Sequence, residues 1–106
     1  MSQTGTQAAP LHKHVTIMDE HGHVDIDSIK VMWKNGEQVI WKTTLPKGFK
    51  VVFDGPNGSP FDTDTFEIPA GGTVYSGVSK KGGTFKYSVH GPCGCNDPVV
   101  VLDPPE

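Results

Sequence analysis

The densest run of chemistry-bearing residues is His90-Gly91-Pro92-Cys93-Gly94-Cys95, which holds both cysteines of the chain and one of its five histidines. Imidazole and thiolate are ligands that zinc and copper both accept, and a Gly/Pro loop can fold them toward a shared point. His90, Cys93 and Cys95 are therefore the candidate metal ligands, with copper or zinc as the cations, provided a fourth donor arrives from His12, His14, His21 or His23. Two plainer readings stand beside this one. A disulfide between cysteines two residues apart closes a small, strained ring that is easily reduced. The other is simply a loop with two free thiols. Cys-x-Cys is far less diagnostic than paired Cys-x-x-Cys motifs, so all three readings stay open, and no resident cofactor is expected.

Other constellations are weaker. His12-Lys13-His14 and His21-Gly22-His23 each space imidazoles two apart, which on a strand projects both to one face. If the two pairs lie on adjacent strands, a four-histidine cluster results; the plainer reading is a set of solvated side chains. Asp54, Asp62, Asp64 and Glu67 form an acidic stretch, but it matches no defined calcium loop and reads as a solvated turn. Trp33 and Trp41 flank Asn35-Gly36, where they serve either as a stacking platform for a sugar or peptide or as core and cross-strand stabilisers.

For catalysis the chain is thin. It has no Gly-x-Ser-x-Gly turn, no His-Glu-x-x-His pair and no phosphate-cradling glycine loop, so the reading leans away from an enzyme. All nine basic residues are lysines, the net charge is −3, and no basic stripe is present, which sets nucleic acid aside as a partner. No segment approaches the roughly 18 apolar residues that span a bilayer. Residues 1–11 are polar and small, lack the pattern of a signal peptide, and read as a flexible leader ahead of a domain over 12–106. The compartment stays open, periplasmic or extracellular if an export signal has been removed. The partner is an unidentified protein or small molecule.

The elements that must position these residues are strands. At 106 residues the chain fits one domain, and its 13 Gly and 9 Pro punctuate many short elements. Val15 and Ile17 share a face of a first strand, and Ile29 to Trp33 has the period of two of a half-buried one. Asn35-Gly36 between that run and Val39-Ile40-Trp41 predicts a hairpin. Phe49, Val51 and Phe53 share a face, Phe66-Glu67-Ile68 is short, and Val74 with Val78 makes another strand. Phe85-Tyr87-Val89 and Val99 to Leu102 close the set. Turn signals about every 8–12 residues imply an all-β Greek-key β-sandwich of about seven to eight strands.

The order of these segments resembles the cupredoxin family. The resemblance is carried by Val39-Ile40-Trp41, by Phe49-Lys50-Val51-Val52-Phe53 after a glycine, by Ile68-Pro69-Ala70-Gly71-Gly72, and by Gly83-Thr84-Phe85-Lys86-Tyr87-Ser88-Val89 before the terminal strand. It covers nearly everything from Asp25 to Pro104 and implies a cupredoxin-like domain. In copper-binding members a histidine opens the strand that here begins at Phe49, and a cysteine ends the strand that here ends at Val89. A second histidine follows a few residues on, usually with a methionine beyond. Here those positions hold Phe49 or Lys50, and Val89 or His90; Cys93 and Cys95 come later, neither is followed by a histidine, and no methionine lies beyond Met32. A type 1 copper centre needs two imidazoles, a thiolate and a weak axial ligand. The resemblance therefore implies a cupredoxin-like binding or accessory module without that centre, and the alternative is a metal-binding or thiol-redox protein using the 90–95 loop.

Overall fold

A computed structural model describes residues 12–105. The described chain forms ten strands: β1 (His12–Ile17), β2 (Ser28–Met32), β3 (Gln38–Thr43), β4 (Phe49–Val52), β5 (Thr65–Ile68), β6 (Thr73–Tyr75), β7 (Gly83–Lys86), β8 (Ser88–Gly91), β9 (Gly94–Asn96) and β10 (Val99–Asp103). They pair in three ladders, ordered β9-β8-β4-β5, β2-β10-β7 and β1-β3-β6. Two pairings are parallel, β1 with β3 and β2 with β10, and the rest are antiparallel. Parallel neighbours need a long crossover, so the chain must pass repeatedly between ladders. The expected leader over residues 1–11 lies outside the described residues.

The period of two in the sequence translates directly into an inner face. Val15, Ile17, Val31, Val39, Trp41, Val51, Ile68, Tyr87, Val89, Val100 and Leu102 are each no more than 1% exposed. Fully burying an aliphatic side chain of this kind contributes about 1.5–3 kcal/mol, which is how a chain this small holds together. At the centre is an aromatic cluster. Trp41 lies 5.1 Å from Phe66 and 5.6 Å from Tyr87, and Phe53 lies 5.2 Å from Tyr87 and 5.6 Å from Phe61, centroid to centroid. Two of these four pairs, Trp41 with Tyr87 and Phe53 with Phe61, meet edge to face, an arrangement their quadrupoles favour.

Three expectations change. The Asn35-Gly36 hairpin does not form: β2 and β3 belong to different ladders, and between them lies a single 3-10 turn, Trp33–Asn35. Gly36 supplies the left-handed backbone there (φ 80°), and the Glu37 carboxylate accepts the Met32 N–H at 2.7 Å. The turn signal was real, but β2 and β3 each find their partner in a distant strand, so the reversal passes the chain from one ladder to another. Trp33 and Trp41 consequently make no platform. Trp41 is fully buried, and Trp33 donates its indole N–H to the Pro104 carbonyl at 2.9 Å. Val78 is not in a strand; β6 stops at Tyr75, and Val78 is exposed.

The run Phe85-Tyr87-Val89 keeps its alternation but changes ladder midway. β7 pairs with β10, β8 pairs with β4, and Tyr87 between them donates its backbone N–H to the Pro98 carbonyl at 3.0 Å. The sequence reading undercounted strands for this reason, and because β9 is only three residues long.

Candidate functional site

The candidate residues sit at one end of the four-stranded ladder, where β8 turns into β9 through Pro92 and Cys93. A second segment, Met18 to His23, is seated against this hairpin. Cys93 donates its backbone N–H to the Glu20 carbonyl at 3.0 Å, and His21 Nδ1 lies 3.2 Å from the Cys93 carbonyl. A carbonyl only accepts, so this contact places the proton of His21 on Nδ1. Two glycines allow the close approach. A Cβ on Gly22 (φ 86°) would lie 2.4 Å from the Val89 carbonyl oxygen, and one on Gly91 would lie 2.4 Å from the Glu20 carbonyl oxygen and 2.7 Å from Phe49 Cε2.

Asp19 organises the turn. Its Oδ1 accepts the backbone N–H of His21 at 2.9 Å and of His23 at 3.3 Å, and its Oδ2 meets His23 Nδ1 at 2.8 Å. The His23 side chain foremost, helped by the two backbone donors, holds the Asp19 carboxyl below its ordinary range.

The two cysteines occupy different surroundings. Both are free and exposed. The Cys93 thiol donates to Glu20 Oε1 at 3.4 Å, and this hydrogen bond, followed by partial desolvation and the Glu20 charge, pushes the thiol up from its usual range; Lys47 opposes the shift. Cys95 stands on β9 directly opposite His90 on β8. His90 is opposite Lys50 on β4, and Lys50 is opposite Glu67 on β5. Directly opposed residues project to the same face with Cβ atoms about 4.5–5.5 Å apart. Cys95, His90, Lys50 and Glu67 therefore form one exposed row across all four strands, on the face opposite the core.

Beside that row lies an open groove of about 820 Å³, lined by Lys47, Phe49, Lys50, Glu67, His90 and Pro92 among others. Phe49 is 4% exposed and packs its ring against Gly91. It is one of the two residues, Phe49 or Lys50, at the position that the family resemblance reserves for the first copper-binding histidine, and the exposed Lys50 offers no imidazole there either. Val89 points into the core and His90 into solvent at the position reserved for cysteine. These residues do not fit a type 1 copper set.

Of the three candidate ligands, His90 and Cys95 are neighbours in register, whereas Cys93 turns its thiol toward Glu20. Among the described residues no group of three His, Cys, Asp or Glu side chains is placed to hold a metal ion. The four-histidine cluster does not form: His12 stacks edge-on to Tyr75 at 6.1 Å, while His21 and His23 engage Cys93 and Asp19. The acidic stretch is dispersed as well, with Asp62 paired to Lys80 and both Asp54 carboxylate oxygens within 3.0 Å of Ser88 Oγ. Sequence reasoning missed Lys47 and Lys50 as site residues, and counted Glu67 only as part of the acidic stretch. The period of two places Lys50, Glu67 and His90 outward, but register between strands distant in sequence is not written in any one of them.

The fold is that of cupredoxins. A copper(I) form of a methionine-to-alanine variant of amicyanin matches with a TM-score of 0.59 at 19% identity, over 90% of this chain and 85% of that one. A reduced copper(I) form of a proline-to-glycine amicyanin variant matches with a TM-score of 0.58 at 17% identity, over 92% and 94%. A second methionine-to-alanine variant matches with 0.57 at 18%, over 86% and 81%. No family model and no curated protein matches the sequence. The architecture is a cupredoxin-like β-sandwich, and no helix among the described residues is long and apolar enough to cross a membrane.

Proposed function

We propose that this chain is a binding or accessory module on a cupredoxin-like scaffold, and that its binding face is the groove at the β4–β5–β8 end rather than a resident type 1 copper centre. The observation that carries the reading is Phe49. A buried ring packed on Gly91 stands where, with Lys50 next to it, the family resemblance expects a first imidazole ligand, and leaves beside it a groove mixing apolar walls with Lys47, Lys50, Glu67 and His90. Ligand sites commonly have this make-up, an apolar lining with a few charged groups that fix orientation. The partner is a protein segment or small molecule able to meet both.

Amide chemical shifts, followed while acetate, inorganic phosphate and indole are titrated separately, test the assignment. Shifts clustered on residues 47–50, 67–69 and 90–92 support the groove; shifts centred on the β1-β3-β6 ladder overturn it. Adding Cu(II) is the second arm. A visible thiolate-to-copper charge-transfer band would overturn the copper-free reading.

A further inference from the structure

We propose that Cys95 is a thiol–disulfide exchange site for an anionic low-molecular-weight disulfide, with His90 as its base and Lys47 and Lys50 as the groups that attract the anion. The two thiols separate into different roles by their neighbours. Cys93 is held by Glu20, a carboxylate that keeps a thiol protonated and repels an incoming anion. Cys95 faces an imidazole across the strand pair, on an exposed sheet face, with the Lys50 ammonium one strand further along the same row. A thiolate, not a thiol, is the nucleophile, and a neighbouring imidazole is the usual group that accepts the proton.

The step balances without a further reagent. The Cys95 thiol gives its proton to the His90 imidazole, and the thiolate attacks one sulfur of the disulfide RS–SR. The new Cys95–SR bond forms as the RS–SR bond breaks; the leaving RS⁻ takes the electron pair and then the proton from the imidazolium, departing as RSH. One protein thiol is oxidised and half of the disulfide is reduced. The R group of the adduct then lies beside the groove, where Lys47 and Lys50 outnumber the single carboxylate of Glu67. This choice of an anionic partner rests on the groove reading; the reactivity of Cys95 does not.

The test treats the reduced protein with oxidised glutathione, which is anionic, or with neutral bis(2-hydroxyethyl) disulfide, and maps adducts by peptide mass spectrometry over time. Cys95 is expected to be modified several-fold faster than Cys93 by both reagents, and His90→Gln to remove most of that advantage while near-ultraviolet circular dichroism stays unchanged. Equal rates at the two cysteines, or a Cys95 rate indifferent to His90→Gln, overturn the exchange site. In Lys47→Gln/Lys50→Gln protein the ratio of the glutathione rate to the neutral rate should fall about two- to five-fold, the size of an exposed charge interaction. An unchanged ratio with Cys95 still the faster thiol overturns the groove's part and leaves the exchange site standing.

Discussion

The two faces of the β9-β8-β4-β5 ladder are made by the same strands and do opposite things. Inward, Val51, Val89, Phe66 and Ile68 are at most 7% exposed and meet Trp41 and Tyr87 in a close-packed aromatic centre. Outward, Cys95, His90, Lys50 and Glu67 stand opposite one another in register and are exposed to solvent. Stability belongs to the inner face and the proposed chemistry to the outer one, because buried apolar area is what folding rewards and exposed charge is nearly neutral to it.

The comparison breaks most visibly if the centre is hollowed. Trp41→Ala should cost about 3–5 kcal/mol in urea unfolding, the range for truncating a buried large aromatic. A cost under about 1 kcal/mol would mean that the rings do not carry the core. Next comes the seam between the 18–23 segment and the hairpin. Gly91→Ala forces a Cβ into the Glu20 carbonyl and the Phe49 ring, and should cost about 1–3 kcal/mol, as overpacking does. It should also shift the amide resonances of residues 19–22, because those residues must retreat. No shift there would detach the turn from the site.

Tyr87 sharpens the inner side. Among the described residues its hydroxyl and the Trp41 indole N–H, both buried, find no hydrogen-bond partner of proper geometry. Burial above all, only partly offset by the Trp41 indole, pushes the phenol above its ordinary 10.0. The folded value exceeds the unfolded one, so the contribution to stability is intact below pH 10 and is lost as pH rises from there toward the folded value. Tyr87→Phe should remove that alkaline slope. At neutral pH it should leave the protein as stable or about 1 kcal/mol more so, since an unpaired hydroxyl is deleted from the core. A loss of more than about 1 kcal/mol would show that the hydroxyl is satisfied.

On the outer face the effects should be small. Lys50→Ala should stay within about 0.5 kcal/mol of the parent in urea unfolding, as surface substitutions do. A larger loss would mean the row is structural. Smallest is Asp19, whose folded carboxyl value lies below 3.8, chiefly through His23. Its contribution is present above that pH and is lost as pH falls through the folded value. Thermal melting of Asp19→Asn should therefore show a shallower decline between neutral and strongly acidic pH than the parent; parallel curves would refute the pairing.

Alternation alone determined which side is buried in several of the runs. Val15 and Ile17, Val51 and Phe53, and Phe85, Tyr87 and Val89 all lie inward as their spacing requires, because side chains in a strand point alternately to opposite faces. The turn residues likewise marked where elements stop, and the absence of histidine at Phe49 and of a methionine beyond Met32 was plain from the sequence. What only the tertiary structure decided was pairing. Asn35-Gly36 fixes a local reversal but not whether the flanking strands meet, since that depends on β1 and β10 occupying them in parallel. The same holds for the site. His90, Cys93 and Cys95 are close in sequence, yet one register places Cys95 against His90 and Lys50 while a distant turn claims Cys93 through Glu20. Spacing sets which way a side chain faces; which groups it faces depends on strands far away in the chain, and that is settled only when the whole core packs.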